Sequence, residues 1–413
     1  MLRFFARQQF AQSFQYTVRQ LVHYLVDDIL YGLSNEEIRL RKTVFDLAQK
    51  ELAPEAHKID KYDRFDGLRD FWKRLGHIGA LGITTNPKYG GTGGTYLDNF
   101  IINEEISRAC AAIGLSYGAH SILCVAQINR YGTETQKRRY LPKLCSGEHI
   151  GALAMSEAGA GSDVLSMKLQ ADKDEDSYIL NGTKFWITNG PDADVLIVYA
   201  KTDPKSEKPQ HGVSAFIVEK SFEGFSAGPK LDKMGMRGSN TSELIFENCR
   251  VPKENLLGSE NKGAYVLMGG VDFERLVLSS GAVGLMQACC DVAFEYAHQR
   301  KHSNTDEFQM IQSKLAFMYA TTAACRCYSY TVVRACDRNH INSKDCAAVA
   351  LFVGEKLIEV ALEATQILGI NGYINGSPTS RFLRDSKLYE IGGGTTEIRK
   401  IVLARALNKE YVT

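Results

Sequence analysis

The spacing of apolar residues changes character twice along this chain, and that alternation restricts its fold more than any other feature. Ser34-x-x-Glu37 reads as a capping box, and Leu40, Val44 and Leu47 follow it at helical spacing. Similar periodicity runs through Leu68–Leu75 and Phe100–Ala109, with a glycine-rich turn at Tyr89–Gly94 that lacks the Lys-Ser/Thr ending of a phosphate loop. Near Ile150 the pattern becomes strand-like. Tyr178-Ile179-Leu180, Asn181-Gly182 and Lys184-Phe185-Trp186-Ile187 predict a hairpin, and Val195–Ala200, Val213–Val218 and Glu243–Phe246 predict further strands. Helical periods return over Gly263–Arg300, Phe308–Asn339, Lys344–Leu368 and Arg381–Asn408. The expected fold class is therefore α+β multidomain: an N-terminal helical domain over 27–149, a central antiparallel β domain over 150–258 and a C-terminal helical domain over 259–413. The chain carries no G-x-G-x-x-G and no Walker A sequence, so a bound nucleotide would not rest on a Rossmann turn.

Composition removes several function classes. Lys+Arg total 49 against 48 Asp+Glu, which argues against a nucleic-acid protein with a basic face. No uninterrupted apolar run approaches the roughly 18 residues of a membrane span; the longest is Cys346–Val353. The 10 cysteines form no C-x-x-C pair, so free, mostly buried thiols in a reducing compartment are expected rather than zinc or disulfides. Residues 1–26 hold Arg3, Arg7 and Arg19 with no acidic residue, the composition of a mitochondrial transit peptide, and point to the matrix.

Four stretches can carry chemistry. Met155 to Asp163 (Met-Ser-Glu-Ala-Gly-Ala-Gly-Ser-Asp) packs small residues and hydroxyls that let backbone N–H groups approach a ligand, as a plain surface loop also could. Trp186-Ile187-Thr188 sets an aromatic plane beside a hydroxyl, a pattern shared with core packing. Leu267, Val271, Glu274, Leu278 and Leu285 share one helix face, so a carboxylate interrupts an apolar stripe. Desolvation would make Glu274 a better base near neutral pH; a Glu satisfied by an arginine or a backbone donor gives the same pattern. Gly392-Gly393-Gly394 precedes a last helix that Thr395 or Thr396 could cap, and bare N–H groups there suit an oxyanion or phosphate, or make a flexible joint.

Taken together, Ala154-Met155-Ser156-Glu157-x-x-Ala160-Gly161-Ser162-Asp163, Trp186-Ile187-Thr188-Asn189-Gly190, Gln366-x-x-Gly369 with Gly372-Tyr373, and Arg384-Asp385-x-Lys387 resemble the acyl-CoA dehydrogenase family from about Asp27 to Thr413. The resemblance implies an N-terminal helical domain, a middle β domain and a C-terminal four-helix bundle in a homotetramer that binds FAD and acyl-CoA and passes electrons to electron-transfer flavoprotein. By position, Leu153, Ala154, Met155, Ser156, Glu157, Ala158, Gly159, Ala160, Gly161, Ser162, Trp186, Ile187 and Thr188 would meet the cofactor. Arg300, Gln309, Gln366, Ile367, Leu368, Gly369, Ile370, Thr395, Thr396 and Glu397 would serve the cofactor shared with a neighbouring subunit. Ser162, Tyr265, Asp272, Phe273, Glu274, Arg275, Gly393 and Gly394 would line the acyl-CoA site.

Most members of the family carry their base immediately before Gly-Thr on the last helical segment. Here that position is Gly393. Two subgroups, one acting on short branched chains and one on long chains, take the base from the earlier helix, where this chain has Glu274. The resemblance thus implies Glu274 as base and isovaleryl-CoA as substrate, giving 3-methylcrotonyl-CoA in leucine catabolism, with a long straight-chain substrate or a cofactor-poor binding protein as the alternatives. The segment after Arg300, Ile370 in place of a second glycine, and Gln210-His211 in place of Ser-Arg depart from the family pattern.

Overall fold

The computed structural model describes residues 26–299 and 305–411; the side chains of 270–274 and 305–308 lie outside what it describes. The leader over 1–26, apart from Val26, and Arg300 therefore fall outside the described residues.

The first module is helical: α1 Asn35–Glu51, α2 Ala56–Tyr62, α3 Leu68–His77, α4 Tyr96–Ala109, α5 Ala111–Tyr117, α6 Ala126–Tyr131 and α7 Glu134–Cys145. The box at Ser34 is formed, with the Glu37 amide donating to Ser34 Oγ at 3.2 Å. Thr95/Asp98 and Thr133/Gln136 make two more, starting α4 and α7. Between α5 and α6 the helix continues through a π-helical stretch, Gly118–Val125. Ala111–Tyr131 and Arg275–Gln299 are long and apolar enough to cross a membrane by length and composition. Yet 83% and 89% of their apolar windows are buried, as in core helices.

The middle module is one eight-stranded sheet: β1 Gly151–Ala154, β2 Gln170–Asp174, β3 Ser177–Thr188, β4 Val195–Lys201, β5 Val213–Glu219, β6 Phe225–Lys230, β7 Thr241–Pro252 and β8 Leu256–Leu257. The order is β6-β7-β3-β2-β4-β5-β8, and β1 lies along β4. Most pairings are antiparallel, but β1 and β2 meet β4 in parallel, so the sheet is mixed. On β4, Val195, Ile197 and Tyr199 enter one core cluster while Leu196, Val198 and Ala200 enter another, so both faces of the sheet are covered.

The expected hairpin at Asn181-Gly182 is not there. β3 runs straight through that dipeptide, pairing with β7 from Ser177–Pro252 to Thr188–Thr241. Gly182, at φ +133, takes up a bulge, and Asn181 Oδ1 accepts the Asn248 amide at 2.7 Å. The actual turn lies at Glu175-Asp176, between β2 and β3, with Glu175 left-handed at φ 46. Asn-Gly favours left-handed backbone, and a bulge uses that preference as readily as a turn does.

The third module comprises α8 Gly263–Gln299, α9 Thr305–Asp337, α10 Ser343–Leu368, α11 Ile370–Tyr373, α12 Pro378–Ser386 and α13 Thr396–Tyr411. The helical periodicity over Arg381–Asn408 is divided between two helices at the glycine run, and a last helix follows it as expected. Helices of the first and third modules share one apolar core. A buried charge cluster crosses the same boundary: Arg41 donates to Asp28 at 3.0 Å and Glu104 at 3.3 Å, and Arg326 Nε donates to Glu104 at 2.8 Å. Nine of the ten cysteines are buried, and all ten are free.

Candidate functional site

The loop after β1 is braced from beneath. Lys184, on β3 and fully buried, donates from Nζ to the Met155 carbonyl and to Glu157 Oε1, each at 2.9 Å. Glu157 also accepts the amides of Lys168 at 2.6 Å and Leu169 at 2.9 Å. Burial opposes ionisation of Glu157, but Lys184 and the two amides outweigh it and hold the carboxyl below its ordinary range. Burial brings the Lys184 ammonium down to about 8, against the pull of Glu157. The pair therefore stays charged at neutral pH and fixes a loop that composition alone would leave loose.

Above this brace the residues divide. Leu153, Ala154, Glu157, Ala160 and Ile187 are buried, whereas Ala158, Gly159, Gly161 and Ser162 are exposed and Met155, Ser156 and Thr188 half-buried. The Phe185 amide donates to the Ser156 carbonyl at 2.8 Å, holding loop and strand together. A second bulge of β3 puts Trp186 at φ 58, a costly conformation for a bulky residue. The residue is 51% exposed, so it is not packed into a core. A Cβ on Gly161 would sit 3.7 Å from its ring, and one on Gly159 would meet nothing within 4 Å. Exposed aromatic plane, bare glycines and half-buried hydroxyls make a cradle that fits a flat, polar-edged ring system. Asn189, at φ 63 and buried, ends the strand by donating to the carbonyls of Ser116 at 2.8 Å and Gly151 at 3.1 Å.

Glu274 lies in α8 with Asp272 and Phe273, and the side chains of all three are outside the described residues. Leu267 and Leu285 are buried, and Leu278, one turn after position 274, abuts the glycine turn. A Cβ on Gly393 would come within 2.6 Å of Leu278 Cδ1, and one on Gly394 within 3.9 Å of Arg275 Nε. The structure thus sets the residue before Gly394-Thr395 against the turn of α8 that follows Glu274. Thr395 caps α13, its Oγ1 accepting the Ile398 amide at 3.3 Å. Arg399 holds the run from below, donating to the carbonyls of Tyr389 and Gly392, each at 2.6 Å, and of Ala350 at 3.0 Å. Burial first and Arg275 second bring Arg399 down to about 10, which marks a positive patch behind the glycines.

The remaining candidates stand elsewhere. Tyr265, near the start of α8, is 55% exposed and stacks on His211 at 6.4 Å. Gln309, Gln366, Gly369 and Ile370 are exposed, while Ile367 and Leu368 are buried. The ion pairs Lys344–Glu410 (2.5 Å) and Lys400–Glu355 (2.9 Å) run α10 and α13 antiparallel. That places the Gln366–Ile370 corner beyond the start of α13, where Thr396 is half-buried and Glu397 exposed. Sequence reasoning missed Lys184, Asn189 and Arg399. The only signal for Lys184 was a charge at a strand position that proved to point inward.

Two candidate surfaces, one on a β module and one on a long helix beside a glycine turn, stand on a helical–β–helical architecture whose sequence carries no G-x-G-x-x-G turn. The chain belongs to the acyl-CoA dehydrogenase family, whose N-terminal, middle and C-terminal domains match residues 34–148, 152–249 and 261–408. It is 57% identical over 398 residues to a Pongo abelii protein named isovaleryl-CoA dehydrogenase, mitochondrial, spanning 95% of this chain and 94% of that one. It is 52% identical over 379 residues to a Solanum tuberosum protein named 2-methylacyl-CoA dehydrogenase, mitochondrial, spanning 91% and 92%. Among solved structures, butyryl-CoA dehydrogenase from Megasphaera elsdenii aligns with a TM-score of 0.87 at 34% identity, over 91% of this chain and 99% of that one.

Proposed function

We propose that the chain dehydrogenates the α,β bond of a short branched acyl-CoA, isovaleryl-CoA before others, giving 3-methylcrotonyl-CoA in leucine catabolism. One observation carries this reading: the glycine run, bare at the position where most of the family keeps a base, abuts the helix that bears Glu274. Glu274 takes the α-proton. The amides of the Gly393-Gly394 turn offer donors to the thioester oxygen as negative charge builds there, and the positive patch at Arg275 and Arg399 favours the same charge. A Cβ at 393 would come within 2.6 Å of Leu278 Cδ1, so this position holds no base and the Leu278 side chain takes the space beside it, an aliphatic wall that suits a branched acyl chain. Met155, Ser156, Trp186 and Thr188 would hold the FAD ring, and Ser162 its phosphates or the acyl-CoA. FAD, when bound, supplies the acceptor for the β-hydrogen and its electron pair.

The wider setting belongs to the same proposal. Residues 1–26 are a transit peptide for the mitochondrial matrix, and the mature chain divides at 149 and 258. Four copies assemble, with Arg300, Gln309, Gln366–Ile370 and Thr395–Glu397 serving a cofactor shared between copies, and electrons leave to electron-transfer flavoprotein. Exposed apolar residues support the assembly: Met310 (73%), Ile370 (74%) and Tyr373 (79%) suit a covered surface better than an open one.

Glu274→Gln keeps shape and removes basicity. The variant should hold FAD yet lose turnover by roughly three orders of magnitude or more. A variant that oxidises isovaleryl-CoA at the parent rate sinks the assignment of the base. Rates on isovaleryl-, 2-methylbutyryl-, butyryl- and palmitoyl-CoA separate the substrate readings, and a purified protein that stays colourless with added FAD favours the non-catalytic one.

A further inference from the structure

The helix that carries the proposed base holds two adjacent glycines one turn ahead of it. Gly269 and Gly270 are adjacent inside α8, and paired glycines soften a helix interior. Met268 and Gly269 are exposed, whereas Leu276 and Val277 are buried in the core. The two glycines therefore fall on a short stretch of α8 between buried Leu267 and buried Leu276.

That weak point is gripped from the side by the end of α6. Arg130 Nη1 donates to the Gly269 carbonyl at 2.5 Å, and its Nη2 donates to Tyr96 Oη at 3.0 Å. Tyr96 opens α4, and its amide donates to Asp337 of α9 at 2.7 Å, so the grip is anchored in a second helix pair. By helix geometry the Gly269 carbonyl also accepts the amide of residue 273, the neighbour of Glu274. A carbonyl has two lone pairs, and the guanidinium takes the second. Gly269 also lies close against α6, since a Cβ there would meet the Tyr131 hydroxyl, which would have to move aside.

We propose that Arg130 is a positioning residue for the reaction: its forked contact to Gly269 and Tyr96 holds the soft turn of α8 so that Glu274 meets the substrate in register. The proposal rests on the reading of Glu274 as base. Arg130 bonds a backbone carbonyl, so its effect falls on the turn rather than on acyl-CoA affinity. Lysine keeps the charge but not the fork, and methionine keeps neither.

The test uses the FAD-loaded, assembled protein. Three quantities are read: amide hydrogen exchange over 266–275, the dissociation constant for isovaleryl-CoA, and the flavin reduction rate at saturating isovaleryl-CoA. Arg130→Met should speed exchange in that segment and slow reduction roughly tenfold or more, with the dissociation constant within about threefold of the parent. Arg130→Lys should recover much of the rate, and Tyr96→Phe, which removes the hydroxyl that accepts from Arg130 Nη2, should lose roughly threefold. Parent-like exchange and reduction in Arg130→Met overturn the proposal. A loss confined to acyl-CoA affinity also overturns it. Should Arg130→Met fail to fold, Arg130→Lys and Tyr96→Phe decide, and parent-like values in both overturn it. Glu274→Gln serves as the control: if it reduces at the parent rate, the base assignment has failed, while the exchange result still reports on the brace.

Discussion

The two ends of the proposed cofactor site are built in opposite ways. At the Met155–Thr188 end, the candidate residues stand beside a brace made within the chain: a buried Lys184–Glu157 pair, two amides on the same carboxylate, and a bulge that turns Trp186 outward. At the Gln366–Ile370 end, Gly369 has nothing within 4 Å of where its Cβ would be, and Ile370 is 74% exposed. Folding of one copy completes the first end. The second end leaves apolar side chains and bare backbone exposed on the single copy. In the proposed assembly, the ring-binding half is therefore a property of the fold, and the corner becomes a site only when copies meet.

The sharpest way to break this contrast is to remove its brace. Lys184→Met leaves Glu157 ionised and buried without its counter-charge, and breaking a buried pair from one side costs about 3–5 kcal/mol. The denaturant midpoint should fall by a corresponding amount, and the purified protein should lose FAD. Adding Glu157→Gln should restore part of both. If Lys184→Met keeps the parent midpoint and its FAD, the loop does not depend on the pair, and the two ends differ less than the geometry suggests.

What the sequence allowed to be read depended on how local each signal was. Helical spacing around Leu40, Val44 and Leu47 and the continuous apolar run of β4 depend on neighbours in the chain, and both elements formed there. Asn181-Gly182 was also a local signal, but it specifies left-handed backbone rather than a reversal; whether it bulges or turns is decided by β7, some 65 residues on. Lys184 was illegible for the same reason. Its partner lies 27 residues earlier, so nothing beside it in sequence distinguishes a buried cation from a solvated one. The stripe containing Glu274 was legible as a face, but its relation to Gly393 required the fold to bring positions more than a hundred residues apart together.

Beyond the open corner, α12 is anchored to the β module, and pH sharpens the contrast there. Asp385, at the end of α12, is buried and accepts the Met236 amide at 2.6 Å; its Oδ2 has no hydrogen-bond partner among the described residues. Burial raises its carboxyl from 3.8 to about 6. Between those values the folded chain holds a proton that the unfolded chain has released. Stability from this group is therefore fully present at low pH, falls as pH rises through about 4 to 6, and is level above that, by up to about 3 kcal/mol. Asp385→Asn keeps the acceptor and removes the titration. Unfolding free energies of parent and variant should converge at the acid end of the window and separate above it in favour of the variant. Parallel curves across the window would show that Asp385 keeps its ordinary pKa in the folded chain.

Ile370 tests the corner itself, with the smallest effect of the three. Its side chain lies on the surface of the single copy, so Ile370→Gly should change the unfolding free energy by no more than about 1 kcal/mol, most of it the helix-start cost of glycine. Flavin retention is the informative quantity. A branched side chain where backbone should meet a cofactor holds the amides of 369–370 away from it, so glycine should tighten FAD binding severalfold, and only in the assembled protein. If binding weakens instead, the isoleucine is itself a contact across the interface, and the corner is an apolar socket rather than a backbone cradle. If binding does not change in either state, the corner lies off the cofactor altogether, and what covers Ile370 and Tyr373 is packing between copies with no share in holding the flavin.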